Sequence, residues 1–377
     1  MGGCATGALT QVAGVGPQNV HLTCDPQMTF WKGGYQRYTQ FAFCISPQEA
    51  CSSVKLGGKV TFKYERSGDG VYRAYFRPRF IAASDTSGTP NEPGNQNSYT
   101  NAVAYAMIKE LCLNIGGTTF TEQTREFMYL WDKLSSSNEK RLREMIGFSE
   151  TAQGLIDFGR TERTYYAPLT VWHTRAPSQM LPLIALQYHS VSVEVVTETQ
   201  ANLVCITGDK VGTSNLETDD ALVSFDMLLE YVYFDTMERR MLAQQASEYI
   251  FTEEQFTGAK SHAAGQTSQS IRHTFNHVAR EILQICRRDA VVNPSAQAIA
   301  NGTCPNQWFN FSGVPDSYDG GVTFNVPTDP MATIEHQING HNISEKFEAP
   351  FYRLVQPYQF HTNVPDAFIY VLSFSLY

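Results

Sequence analysis

The stretch YVYFDTMERRMLAQQASEYI (231–250) gathers Asp235, Glu238, Arg239 and Ser247, residue types that serve acid–base or nucleophilic chemistry. HTFNH (273–277) sets two histidines four apart. On a helix they share a face and could ligate one metal ion; on a strand they lie about 13 Å apart, beyond shared ligation. Ile271, His273, Phe275 and His277 are phased as a strand and no third ligand is evident, so sheet or interface histidines are expected and no metal. GVGPQN (14–19) opens like a dinucleotide fingerprint but lacks the third glycine, and no helix is evident after it. SSVK (52–55) stands without the companion motifs that give Ser-x-x-Lys a meaning. There is no P-loop, GxSxG or HExxH, so neither a catalytic residue nor a cofactor is expected.

Two modification patterns remain. Asn301 (NGT), Asn310 (NFS) and Asn342 (NIS) are N-glycosylation candidates, meaningful only in a compartment that glycosylates. MGGCAT fits the N-myristoylation pattern, with Gly2 as acceptor and Cys4 as a second acyl site; the alternative is a flexible small-residue tail.

The elements that would carry these residues are mostly strands. Val60, Phe62 and Tyr64 alternate with polar residues, as do Val191, Val193 and Val195, and Phe368, Tyr370, Leu372, Phe374 and Leu376. Tyr72, Ala74, Phe76 and Phe80 share one face, with Arg73, Tyr75, Arg77 and Arg79 on the other. Such alternation implies one buried and one more exposed face, as in a sandwich. Helical spacing is expected over 121–134, over 139–146 and in the second half of 231–250. Polar segments at 82–100, 206–221, 257–270 and 289–332 are too long for hairpins and read as large surface loops, the second as an interdomain linker. LCLNIGGTTF (111–120) and IEHQINGHNI (334–343) each give a strand and a glycine turn, followed downstream by a Pro-headed strand, PLIALQY (182–188) or PDAFIYVLSF (365–374). This order, met twice, predicts two tandem copies of one β-fold.

At 377 residues with 42% hydrophobic and 17% charged residues, the chain is long enough for two globular domains. A net charge of −9 argues against nucleic-acid holding as its main task. No apolar run is long enough to span a bilayer, and no signal peptide opens the chain. Eight cysteines without CxxC spacing disfavour zinc and read as reduced thiols, with disulfides as the alternative.

Five segments together resemble the double jelly-roll major capsid proteins of large icosahedral DNA viruses, the group of chloroviruses and iridoviruses. They are GPQNVHLTCDPQMTFWKGGYQRYTQFA (16–42), APLTVWHTRAPSQMLPLIALQYHSVSV (167–193), the 231–250 stretch, SIRHTFNH (270–277) and INGHNISEKFEAPFYRLVQPYQFHTNVP (338–365). The resemblance implies a mainly β chain of two tandem antiparallel jelly-roll sandwiches, with a few short helices and long loops. It implies a homotrimeric, pseudo-hexagonal capsomer of an icosahedral shell, without catalysis or direct nucleic-acid binding. The partners implied are neighbouring capsomers, minor capsid proteins and an internal viral membrane near the inner face. The protein is then expected in the outer shell of the virion, made and assembled in host cytoplasm. The expected division is an N-terminal arm at 1–18, a first jelly roll at 19–206, a linker at 207–220 and a second jelly roll at 221–377. The family pattern continues past SFSLY with further strands, so the second sandwich is expected to lack its last strands. A minor capsid paralogue of the same fold and, further off, a carbohydrate-binding jelly roll are the alternatives. On the chain's own residues, Asp235 and Glu238 then read as helix punctuation: an acidic N-cap and its capping-box partner.

Overall fold

Phe62, Phe76 and Phe225 meet at ring separations of 5.0–5.7 Å in the middle of a two-sheet sandwich. The computed structural model describes residues 3–26, 29–31, 38–83, 96–136, 139–212, 214, 216, 220–314 and 328–375. Contacts divide the chain into two compact units, 1–40 and 41–377.

In the first unit, α1 (Gly3–Ala13) and α2 (Pro17–Thr23) are short helices. Pro17 opens α2 from the N-terminal end, where its missing N–H costs nothing. A helix therefore does follow GVGPQN, contrary to expectation, but the third glycine of a dinucleotide site is still lacking.

In the second unit, one sheet has the order β1–β11–β3–β7, formed by β1 (Phe41–Gln48), β11 (Leu222–Phe234), β3 (Gly70–Phe80) and β7 (Arg163–Thr164), with β8 (Ala167–Pro168) also on β3. The facing sheet runs β2–β9–β5–β6, with β2 (Lys59–Lys63), β9 (Val191–Thr197), β5 (Ile108–Ile115) and β6 (Thr118–Thr124). All these pairings are antiparallel. Val60, Phe62, Val193 and Val195 are buried as their alternation requires. On the outer face of β3, Arg77 pairs with Asp226 at 2.8 Å, and Arg79 pairs with Glu162. A short pair, β4 (Asn97–Tyr99) with β10 (Val204–Ile206), lies apart from both sheets.

β11 corrects the expected division. Residues 222–234 lie between β1 and β3, in register Phe43↔Val232 and Phe76↔Met227. The 207–220 segment therefore does not separate two sandwiches; the chain crosses it and returns to complete the first. Phe225, Met227, Leu229 and Tyr231 are buried in that core, and the apolar area they remove from water holds the strand there.

Helices fill the connections: α3 (Val103–Ala106), α4 (Arg125–Ser135), α5 (Glu139–Ile146), α6 (Ala152–Gly159) and α7 (Trp172–Arg175). The expected helix over 121–134 begins late. Thr121 to Thr124 finish β6, and Thr124 is the N-cap, its hydroxyl accepting from the Phe127 amide at 3.4 Å. Gly116 and Gly117 turn β5 into β6 with φ of 62° and 84°, a turn that L side chains resist. PLIALQY is not a strand. After a bridge from Leu181 to Val71, it coils through turns while the Ile184 amide donates to the Asp69 carbonyl.

Beyond β11, α8 (Thr236–Gln244) is followed by a long stretch without strands to β12 (Glu281–Ile285), which pairs with β17 (Ile369–Ser373). SIRHTFNH, expected as a strand, lies in that stretch without strand pairing and is tied back to residues 255–257, as by Thr257 Oγ1 to His273 Nδ1 at 2.8 Å. α9 (Asp289–Val292) and α10 (Ala296–Ala300) precede, and α11 (Gln356–Phe360) follows, two small strand pairs, one nested in the other. These are β13 (Thr333–Ile334) with β16 (Phe347–Glu348), and β14 (Gln337–Ile338) with β15 (His341–Asn342). In β17 both Ile369 and Tyr370 are buried, so this strand is covered on both faces.

Candidate functional site

The 231–250 stretch changes from strand to helix at Asp235, as its sequence suggests. Asp235 occupies the N-cap position of α8 with extended backbone (φ −66°, ψ 160°), but its side chain makes no cap hydrogen bond. Glu238 lies in the first turn, where its negative charge suits the helix end. The corner is held from elsewhere. Asp69, just before β3, accepts the Phe234 N–H at 2.9 Å and holds Arg239 at 3.0 Å. Tyr231 and Tyr233 hydroxyls donate to the carbonyls of Glu65 and Ser67, each at 2.7 Å. The charged cluster thus fastens a strand to a loop.

A second assembly surrounds α4. Arg125 and Glu198, with side chains 7% and 8% exposed, pair at 2.7 Å. Burial pushes the Glu198 carboxyl up, but the Asn202 amide, the Thr199 N–H and Arg125 outweigh it and hold it below the ordinary value. The Trp308 ring lies 4.0 Å from the Arg125 guanidinium and 5.2 Å from that of Arg287, and its indole N–H donates to the Asn202 carbonyl at 2.8 Å. Phe309 stacks on Tyr129 at 4.3 Å. Asn306 donates to the carbonyls of Ala201 and Val204. Much of the long 289–332 segment is therefore packed against the first sandwich, not displayed as a free loop. Asp69, Arg125 and Trp308 carry these junctions, and sequence reasoning passed over all of them. One signal was present: Arg125 opens a helix, where a cation is disfavoured by the dipole unless paired elsewhere.

Cys205 and Cys304 are joined in a disulfide, with Cα atoms 5.6 Å apart, so the reading of reduced thiols fails for this pair. Buried side by side, the two sulfurs tie β10 to the segment after α10. Cys24, Cys44, Cys51, Cys112 and Cys286 are free.

The sequons differ in their surroundings. Asn301 and Asn342 are exposed, whereas the Asn310 amide donates to Gln307 Oε1 at 2.8 Å and its oxygen accepts from the Ser312 amide at 2.9 Å. Gly2 and the Cys4 side chain lie outside the described residues. Among the described residues no cluster of three or more His, Cys, Asp or Glu could hold a metal ion, and His273 and His277 are brought to no third ligand. A cleft of about 840 Å³ between Leu56, Ile206, Val292 and Ile299 has Lys55 and Asp220 among its wall residues. Among the described residues its wall has one carboxylate where sugar hydrolysis needs a pair, and its Asn306 is already spent on backbone carbonyls.

Two family descriptions tile most of the chain. "Major capsid protein N-terminus" matches residues 29–235, and "Large eukaryotic DNA virus major capsid protein" matches 238–377. The major capsid protein of Phaeocystis pouchetii virus is 27% identical over 98% of this chain and 88% of its own length. That of Paramecium bursaria Chlorella virus 1 is 28% identical over 98% of this chain and 82% of its own. Among solved structures, the PBCV-1 virus capsid matches with a TM-score of 0.71 at 24% identity, over 92% of this chain and 81% of that one. The Faustovirus major capsid protein matches with a TM-score of 0.62 at 11% identity, over 98% and 88%. At these identities the structural matches establish the fold, a double jelly roll.

Proposed function

Since the chain belongs to the major capsid protein family of large eukaryotic DNA viruses and is a structural protein of the virus capsid, we propose that it assembles as a homotrimer. Three copies of a chain with two like domains give six similar corners under closed three-fold symmetry, the outline of a hexagonal capsomer. The observation that carries this reading is the tiling of the chain by two successive family domains, which change over between residues 235 and 238. That is where β11 ends the first sheet and α8 begins.

The protein acts by geometry, without catalysis or cofactor. Its partners are neighbouring capsomers and minor capsid proteins, with the inner face toward an internal membrane and no direct contact with nucleic acid. Synthesis and assembly take place in host cytoplasm. Acylation at Gly2 and Cys4 would anchor the arm to that membrane, and exposed Asn301 and Asn342 are the sequons open to glycans.

Light scattering coupled to size-exclusion chromatography tests the trimer. The expected mass is three times the 42.2 kDa of one chain. A monomer or dimer at micromolar concentration overturns the reading.

A further inference from the structure

α4 is gripped at both ends by segments from beyond α8. At its C-terminus, Asn363 donates its side-chain amide to the Lys133 carbonyl at 3.0 Å and its backbone N–H to that of Leu134 at 3.1 Å. These are carbonyls the helix itself leaves unpaired. At its N-terminus, the Glu254 carboxylate meets Thr124 twice, at the amide (2.8 Å) and at the hydroxyl (2.6 Å).

The segment bearing Glu254 lies along the first sandwich. Tyr249 and Phe251 face Trp172 at ring separations of 5.8 and 5.0 Å. Gln179 donates to the Ile250 carbonyl at 3.2 Å, and Arg175 to the Thr252 hydroxyl at 2.6 Å. Past Glu254, Gln255 exchanges hydrogen bonds with the backbone of Asn276. Glu254 is thus the polar end of an otherwise aromatic docking strip.

Its charge has no counterion among the described residues. Arg125, next to Thr124, is committed to Glu198 and lies 3.6 Å from Glu126; Arg287 also approaches Glu126; Arg175 binds Thr252 and the Thr170 carbonyl. The nearby charge that acts on it is Glu126, which is negative. Burial raises the Glu254 carboxyl to about 7, the two Thr124 bonds lower it less than that, and Glu126 adds to the rise.

We propose that Glu254 and Thr124 form a proton-operated latch, which ties segment 249–254 to the first sandwich when the carboxyl is protonated and loosens when it ionises. The ionised carboxylate accepts the Thr124 O–H at one oxygen and the Thr124 N–H at the other. On protonation the carboxyl O–H replaces the Thr124 O–H as donor between the two, and the N–H bond stays. Ionised, it keeps a half-buried charge that no cation offsets. A carboxyl whose docked value lies above its free value of 4.5 strengthens docking fully below 4.5 and loses that contribution as pH rises through about 7. Loosening would bare Trp172 and free the 255–276 pairing from the sandwich. The latch concerns a single chain and goes beyond the trimer reading.

Hydrogen exchange with mass spectrometry on the full-length protein, corrected for intrinsic exchange rates, tests it. Peptides covering 249–256 are expected to lose protection between pH 5 and pH 8, by up to on the order of a hundred-fold. Glu254→Gln, which keeps an acceptor for the amide and a donor for the hydroxyl, should hold that protection level across the range. Glu126→Gln, by removing the neighbouring negative charge, should shift the wild-type midpoint to lower pH. Unchanged protection in the wild type overturns the latch. So does an equal pH response in Glu254→Gln, or a midpoint that Glu126→Gln leaves in place.

Discussion

Asp69 holds Arg239 at 3.0 Å with one carboxylate oxygen and the Phe234 amide at 2.9 Å with the other, so the corner between β11 and α8 is fixed by a residue more than 160 positions away. The N-cap residue Asp235 stands at the same corner without a cap bond. Arg239 is more than half exposed, so the ion pair itself contributes little; the amide bond to a buried carboxylate carries the effect. Asp69→Ala leaves the Phe234 N–H unpaired and is expected to cost about 1–3 kcal/mol in urea unfolding. Asp235→Ala is expected to cost under about 0.5 kcal/mol. The reverse order would return the corner to its N-cap.

Arg125 and Glu198 form a buried pair that the Trp308 ring covers. Arg125→Met strands the Glu198 carboxylate, and a loss of about 3–5 kcal/mol is expected. Because Glu198 is held below its ordinary value of 4.5, its contribution is present above that pH and is lost as pH falls through the depressed range. The acid limb of a stability–pH curve should therefore be shallower in the variant. A limb of unchanged slope would show that Glu198 does not titrate with unfolding.

The Cys205–Cys304 bond closes a sequence separation of 99 residues. Chain-entropy arguments place the effect of such a closure at about 4–5 kcal/mol. Non-reducing peptide mapping should find the linked pair, and reduction should lower the thermal midpoint in the wild type but not in Cys205→Ser. Full alkylation of both cysteines without reductant would contradict the bond.

The three sequons should differ in occupancy when the protein is routed through a glycosylating pathway. Asn301 and Asn342 present free surface, while the Asn310 amide is already bonded to Gln307. Glycopeptide mass spectrometry should find sugar at the first two and none at Asn310. A glycan at Asn310 would mean that the site is modified before this turn folds.

The sequence alone determined the strands around Val60–Phe62, Val191–Val195 and Ala74–Phe80, because a period of two with β-branched and aromatic residues is local physics. It also located α5 and the switch from strand to helix at Asp235, where polar punctuation is local as well. The family resemblance was legible as an ordered set of segments, although no one of them was decisive. Alternation says which face of a strand is buried but not which strands lie beside it. Only the tertiary structure placed β11 between β1 and β3, where Phe225 meets Phe62 and Phe76, and so moved the division between the two halves. It also decided that PLIALQY turns against Asp69 and Val71 instead of extending. Asp69 with Arg239, Arg125 with Trp308 and Glu254 with Thr124 are partnerships across long sequence separations. Nothing in the local pattern marks them, because packing of the folded core is what brings each pair within reach.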